Sequence, residues 1–335
     1  MSDHLAGPAT AASVNRFDGD ALLAEYADQA GVRGVTRRVD PITGETESFP
    51  GVFAFLPTDD PQVVVAVYDD GSAPATLGLY DTARRAPAGP RVDPGIGIDT
   101  FGSNGRVAVV ACCWDQQHVR SVDLRTGEAV GWSEDTTGQQ GPTNMVLVDD
   151  EAYVSWLVKG ALIQWSIRRR DVRTGEVLAT SPAGYQVVAA NGGRVVAATT
   201  DGRIAELDPG TLQPIGPPFP DTSGPIITLA IDDSGRRLRA SGQDDSTRFY
   251  DIATRTPLGD PVDTDPRSGS AALRGDGLQA AAGTGSGLVI WDLDPAHWES
   301  AACELAGGNL TRDEWNRYLG DLAVYSATCP HYPAG

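Results

Sequence analysis

The apolar positions of this chain fall into short runs of strand length, and a polar turn follows most of them. The run Val63–Tyr68 is apolar without a break, which is typical of a strand covered on both faces. At seven places such a run ends in an aspartate, and a turn and another short run follow. These aspartates are Asp40, Asp81, Asp123, Asp171, Asp208, Asp251 and Asp292. The pattern indicates repeated units of short strands.

The aspartates recur at a nearly constant interval. Their successive spacings are 41, 42, 48, 37, 43 and 41 residues. A repeat of about 40–45 residues made of short strands is typical of a β-propeller blade. The sequence therefore predicts an all-β fold: a β-propeller over residues 1–294, with seven blades and with six or eight as the alternatives.

Each aspartate is predicted to shape the turn after its strand. Its carboxylate can accept a hydrogen bond from the backbone amide two residues further on. In three units a Thr-Gly pair follows, and glycine takes positive φ readily. These pairs are Thr43-Gly44, Thr126-Gly127 and Thr174-Gly175. We therefore assign the seven aspartates, together with Trp291, to a structural role.

The last unit stops after its third strand, at Asp292. A blade that lacks its outer strand usually takes one from the other terminus, which closes the ring and removes an exposed edge. Residues 1–13 are the free segment, and we expect part of residues 6–14 to supply the strand.

After Asp292 the apolar period changes from 2 to 3.6, which predicts helices over 295–335. Asp294 suits an N-cap, and Pro295 suits the first helical position. Thr311 and Glu314 have the spacing of a capping box for a second helix. We expect this helical pair to pack on the propeller as a closing segment.

Charge limits the possible partners. The net charge of −19 argues against direct nucleic-acid binding and against binding to anionic membranes. No apolar run reaches the roughly 18 residues of a membrane span, and the first residues lack the pattern of a signal peptide. We expect a cytoplasmic protein, or a piece of a longer one.

The units resemble those of bacterial WD-repeat propellers, which have third strands that end in aspartate. Trp291-Asp292 matches the Trp-Asp dipeptide of that family, whereas other residues precede the aspartate elsewhere. Residues 291–330 also resemble the segment that closes the WD-repeat part of large bacterial multidomain regulators. The resemblance implies a sensor or scaffold module in a signalling or transcriptional regulatory system.

The side chains able to do chemistry show no catalytic arrangement. His4, His118, His297 and His331 lack metal-ligand spacing. Acidic pairs, such as Asp149-Asp150 and Asp232-Asp233, could bind calcium around a central channel, but they fit solvated turns better. The basic run 168–170 is either a docking point for phosphate or an acidic peptide, or the charged face of a strand.

The four cysteines are too few for a disulfide scaffold. Cys112 and Cys113 are neighbours in a strand and point to opposite faces, which argues against a vicinal redox pair. Cys303 and Cys329 flank the second predicted helix. They form either a disulfide that clamps the tail or two reduced thiols that pack near each other.

We therefore expect a non-enzymatic module without a cofactor, which binds another protein or peptide through loops on one propeller face. The alternative is a propeller enzyme, a metal-dependent hydrolase or lactonase with acidic loops at the channel. A third possibility is the sensory part of a transcriptional regulator. The sequence does not identify the partner, the face used or the oligomeric state.

Overall fold

The structure is a computed structural model. It describes residues 2–5, 12–18, 21–26, 35–40, 43–49, 52–58, 60, 62–69, 74–112, 116–137, 140–159, 163–220, 224–264, 271–284 and 287–335. Within these ranges the strands form seven antiparallel sheets, mostly of four strands, and two short helices follow the last sheet. The all-β prediction is confirmed.

Sheets 1 to 4 follow one another along the chain, and each is a four-stranded meander. Sheet 1 contains β2 (Ala12–Asp18), β3 (Ala21–Tyr26), β4 (Val35–Val39) and β5 (Thr46–Ser48). Sheet 2 contains β6 (Val52–Pro57), β7 (Val63–Tyr68), β8 (Thr76–Asp81) and β9 (Ala86–Pro87). Sheet 3 contains β10 (Thr100–Ser103), β11 (Val107–Cys112), β12 (Gln116–Asp123) and β13 (Ala129–Thr137). Sheet 4 contains β14 (Gln140–Val148), β15 (Glu151–Lys159), β16 (Ile163–Asp171) and β17 (Val177–Thr180).

Sheets 5 to 7 are less regular. Sheet 5 contains β18 (Tyr185–Asn191), β19 (Arg194–Thr199) and β20 (Ile204–Leu207), and a single bridge joins Leu207 to Pro214. Sheet 6 contains β21 (Ile226–Ile231), β22 (Arg237–Gly242), β23 (Ser246–Asp251) and β24 (Thr256–Pro257), and β25 (Val262–Asp263) also pairs with β23. Sheet 7 contains β26 (Ala271–Leu273), β27 (Gln279–Thr284), β28 (Gly287–Asp292) and β1 (Ser2–Leu5).

The outer strand of sheet 7 comes from the start of the chain. Strand β1 pairs with β28, with Ser2 opposite Trp291 and Leu5 opposite Leu288. The segment that we expected to do this, residues 6–14, was wrong in position, because residues 12–18 form the first strand of sheet 1. Residues 6–11 of the expected segment lie outside the described residues.

The hydrophobic core is divided among the interfaces between sheets. Sheets 2 and 3 share one cluster, as do sheets 3 and 4, 4 and 5, 5 and 6, and 6 and 7. Phe49, after β5, packs on sheet 2. Ala272 and Ala281 of sheet 7 pack against Leu22 and Val39 of sheet 1. Each sheet thus packs on the next and the last packs on the first, which explains why most of the middle strands carry apolar residues on both faces.

The two helices are α1 (Pro295–Ala306) and α2 (Arg312–Tyr318). Asp294 caps α1, and Thr311 with Glu314 forms the capping box of α2. Helix α1 buries none of its residues, and α2 buries only Trp315. Among the helices of the described ranges, neither has the length and apolarity needed to cross a bilayer.

The tail packs mainly on itself. The Trp315 indole donates to the Ala323 carbonyl at 2.8 Å and lies edge-to-face with Tyr325, with ring centroids 5.4 Å apart. The Asn309 amide donates to three carbonyls of the final residues, including that of Cys329 at 3.0 Å. We expected the helical pair to pack on the sheets. Helix α1 meets β28 through its first turn, where His297 and Trp298 bond to Asp292.

Candidate functional site

Six of the predicted aspartates build the same turn, one in each of sheets 1 to 6. In every case a carboxylate oxygen accepts a hydrogen bond from the amide three residues further on, at 2.7–3.0 Å. The pairs are Asp40–Thr43, Asp81–Arg84, Asp123–Thr126, Asp171–Thr174, Asp208–Thr211 and Asp251–Thr254. The bond that we expected from the amide two residues further on is also present at Asp123 and Asp171.

Each turn spans five residues, counted from the aspartate, which is one more than we expected. The fifth residue takes a left-handed conformation. That residue is Gly44, Gly127 or Gly175 in three sheets and Arg85, Leu212 or Arg255 in the others, with φ between 56° and 79°. Glycine favours this conformation, and the other three side chains adopt it at some cost. The amide at Thr174 and the other bonds to the carboxylate lower the pKa of Asp171.

Asp292 differs from the other six. One of its oxygens accepts from the amide of Asp294 at 2.9 Å, and the other lies 2.7 Å from Nδ1 of His297. Its carbonyl accepts from the Trp298 indole at 2.8 Å. Trp291 packs between sheets 6 and 7, with its ring 6.2 Å from that of Phe249. Asp292 therefore anchors α1. The seven aspartates lie one to a sheet and are not brought together into one site.

Cys303 and Cys329 are joined by a disulfide that spans 5.4 Å between Cα atoms and ties the end of the tail to α1. Cys112 is buried in β11 and is also disulfide-bonded. Cys113 lies outside the described residues.

A cavity of about 590 Å³ lies where the first strands of several sheets end. Its walls include Leu56 of β6, Gly102 of β10, Met145 and Leu147 of β14, and Ala190 of β18. These residues come from four consecutive sheets, so the cavity is built by the array and not by any single sheet. Apolar side chains form these walls, and polar atoms contribute as much of the whole lining as apolar ones do.

The rim of the cavity consists of the turns that follow these first strands. The rim residues are Thr58, Asn104, Arg106, Asp149, Asp150, Asn191 and Asp233. Hydrogen bonds tie neighbouring turns together. The Asn104 amide donates to the Asp149 carbonyl, and that of Asn191 donates to the Asp233 carboxylate at 3.0 Å. The rim is therefore preorganised.

The charges at the rim are unequal. Three carboxylates, on Asp149, Asp150 and Asp233, face one guanidinium, that of Arg106. Asp150 lies 3.6 Å from Arg173 in an exposed pair, and Asp149 and Asp233 are also exposed. A ligand with an apolar body and a cationic or donor end suits this arrangement of apolar walls and an acidic rim.

The basic run 168–170 is divided among different partners. Arg169 pairs with Glu151 at 3.4 Å on one face of β16. On the other face Arg170 pairs with Glu134 at 2.8 Å, and both Arg168 and Arg170 stack on the Trp156 ring, at 4.5 and 4.4 Å from its centroid. The run thus serves mainly in the packing of sheet 4 on sheet 3.

Within the part of the chain that the structure describes, no three His, Cys, Asp or Glu side chains lie close enough to hold a metal ion. His118 pairs with Asp135 at 2.7 Å, and His297 pairs with Asp292.

Sequence reasoning found the rim turns but not the site. Asn104-Gly105 and Asn191-Gly192 have the pattern of hairpin turns in the sequence. Nothing in a single sequence says that they meet around one cavity. Their recurrence at the same place in each repeat is the signal that could have suggested it.

No family model matches this chain, and no curated protein matches it. Among solved structures, the chain is similar to the computationally designed Ika8 protein, with a TM-score of 0.57 and 15% sequence identity. The match covers 84% of this chain and 96% of that one. At this identity the likeness concerns the fold alone.

Proposed function

We propose that the chain is a β-propeller of the WD-repeat type, with one blade for each of its seven sheets, and that it is a non-enzymatic protein-interaction module. The circular packing supports this, because each sheet packs on the next and sheet 7 packs on sheet 1. Strand β1 completes the last sheet from the opposite end of the chain, as ring closure requires. The preorganised cavity is the observation that carries the functional proposal.

The partner that fits the cavity is a basic segment of another protein. A lysine or arginine side chain has an apolar stem that would lie against Met145 and Leu147, and a cationic head that would reach the carboxylates of Asp149 and Asp233. The rim is fixed before binding, which lowers the entropy lost on association. In a bacterial signalling or transcriptional regulatory system, such a module would recruit or sense the protein that carries this segment.

A displayed peptide library, selected on the purified protein, tests the proposal. We expect enrichment of peptides with a basic residue flanked by apolar ones. Their affinity should fall as salt is raised, because the rim charges are exposed. The double variant Asp149→Asn, Asp233→Asn should bind the selected peptides about three- to tenfold more weakly, as expected for losing two exposed charges.

The variant keeps the rim geometry. Asn tolerates the left-handed backbone of Asp149, whose φ is 52°, and its amide oxygen at position 233 can still accept from Asn191. Asp321→Asn, at an exposed site in the tail, is the matched control and should bind normally. Library selection without basic enrichment, or equal binding by the double variant and the control, would reject the cavity as the binding site.

A further inference from the structure

The second strand of sheet 6 carries an arginine where the other sheets have apolar residues. The second strands can be compared through the third strand of each sheet, which ends at the repeat aspartate. In each sheet we take the third-strand residue two before the aspartate and compare the second-strand residue that pairs with it. In sheet 6 this residue is Arg239, paired with Phe249. The counterparts in the other sheets are Leu23, Val65, Val109, Tyr153, Val196 and Ala281. Only sheet 6 places a charge at this position.

Arg239 lies in the interface between sheets 6 and 7. Phe249, directly opposite it, packs against Ala280 and Leu293. Ala282 lies two residues after Ala280, on the same face of sheet 7, and pairs with Ala271. The counterparts of Ala271 in sheets 3 to 6 are larger: Phe101, Met145, Val188 and Leu229. Short side chains thus face sheet 6 at the height where the arginine lies.

The guanidinium has no counter-charge. Arg239 is only 4% exposed, and no described Asp or Glu forms an ion pair with it. Its one hydrogen bond is from Nη1 to the hydroxyl of Ser241 at 3.1 Å, and its buried Nε has no acceptor. Burial lowers the pKa of Arg239 from 12.5 to about 10, which leaves it charged at neutral pH.

The neighbouring hydroxyls add a further free donor. The Ser241 and Thr247 oxygens lie 2.8 Å apart, so one hydroxyl hydrogen lies between them. Because the Ser241 oxygen already accepts from Arg239, the second hydroxyl hydrogen has no acceptor among the described residues. The site therefore holds several buried donors and one positive charge, without an acceptor to match them.

We propose that Arg239, Ser241 and Thr247 bind a small inorganic anion of about the size of chloride between sheets 6 and 7. One monovalent anion balances the single guanidinium and accepts from the free donors. The three residues are buried and two packed sheets enclose them, so a ligand here has to be small. The proposal does not depend on what the cavity binds.

The test is a thermal-unfolding titration in which sodium chloride replaces sodium gluconate at constant ionic strength. Gluconate is too large for an enclosed site. A ligand that binds only the folded state raises Tm with its concentration. We expect a saturable rise of about 2–5 °C in the wild-type protein. Arg239→Met, which keeps the apolar stem and removes the charge, should show no chloride-dependent rise.

Arg203→Met is the matched control, because it removes an exposed guanidinium that pairs with Asp201 at the surface. It should keep the full chloride response. A wild-type Tm that does not distinguish chloride from gluconate, or a response that persists in Arg239→Met, would overturn the proposal.

A second measurement uses the wild-type protein alone, in case Arg239→Met does not fold. The chlorine NMR line should broaden when protein is added and narrow again when bromide competes. A line width that the protein leaves unchanged would also overturn the proposal.

Discussion

Arg170 and Arg239 are both buried between neighbouring sheets, but they have different bonding partners. Between sheets 3 and 4, Arg170 pairs with Glu134 at 2.8 Å, donates to the Gly175 carbonyl at 2.9 Å and stacks on Trp156. Between sheets 6 and 7, Arg239 has a single bond to a neutral hydroxyl. A buried charge is stable only when it is paired and hydrogen-bonded. The first arginine is therefore part of the packing, and the second requires a partner from outside the chain.

The interface between sheets 5 and 6 follows the first pattern. The buried carboxylate of Glu206 pairs with Arg194 of sheet 5 and with Arg255, which lies in the turn between β23 and β24 of sheet 6, the latter at 2.8 Å. Arg255 also lies 6.0 Å from the Phe219 ring centroid. The buried charges at these two interfaces are thus matched within the chain, in contrast to Arg239.

The largest effect is expected from making Arg170 resemble Arg239. Glu134→Gln keeps the shape but leaves the Arg170 guanidinium, whose side chain is 6% exposed, without its counter-charge. We expect a loss of about 2–3 kcal/mol in the free energy of unfolding, below the full value for a buried pair because Glu134 is one-third exposed. Urea denaturation at neutral pH measures it. The exposed Glu128→Gln is the control, and a Glu134→Gln loss no larger than that of this control would contradict the comparison.

Replacement of the arginine by methionine should affect the free energy of unfolding differently at the two positions. In chloride-free gluconate, Arg170→Met should lower the free energy of unfolding by about 2 kcal/mol, because the ion pair and the stacking on Trp156 are lost. Arg239→Met should leave it unchanged or raise it by about 1 kcal/mol, because an unpaired buried charge is removed. Chemical denaturation of both variants in one buffer decides this. Equal losses at the two positions would mean that Arg239 is paired in the folded protein.

Sheet 7 should be less stable than sheet 6, on which it packs, because its outer strand β1 comes from the other end of the chain. Deleting residues 1–5 removes β1 and leaves β28 as an open edge. We expect a loss of about 1–2 kcal/mol, the net value of a few ladder hydrogen bonds less the entropy of ordering the strand. Thermal unfolding measures it, and a melting curve identical to that of the full chain would contradict the role of β1.

The smallest effect concerns an exposed pair, His297 with Asp292. The hydrogen bond and the charge of Asp292 raise the pKa of His297 above its ordinary value of 6.5. Because the folded-state pKa is the higher one, the contribution of this pair is present below about pH 6.5 and is lost as pH rises through the raised pKa. An NMR titration of His297 should show the raised pKa, and Asp292→Asn should return it toward 6.5. A normal pKa in the wild-type protein would show that the pair does not form.

The repeats could be predicted from the sequence because the aspartates form local turns. Each carboxylate reaches an amide three residues away, so spacing alone reveals it. The exact closing segment could not be predicted, since the pairing of β1 with β28 joins opposite ends of the chain. Helices α1 and α2 were predicted from local capping residues, but their exposure depends on distant packing.

Arg170 and Arg239 show the same limit of prediction from the sequence. Aligning the second strands by their aspartates places Arg239 among apolar and aromatic residues, so the sequence shows that this position is unusual. Its lack of a partner is not, because any of the 45 acidic residues could have folded against it. Glu134 lies 36 residues from Arg170, and only the packing of sheet 3 on sheet 4 brings them together.

The most direct test of the difference between the two arginines is the anomalous scattering of bromide in crystals grown with sodium bromide. We predict one strong peak within hydrogen-bonding distance of the Arg239 guanidinium and the Ser241 and Thr247 hydroxyls, and none beside Arg170. A carboxylate of the chain against Arg239, or a site with no anomalous peak at saturating bromide, would contradict the account.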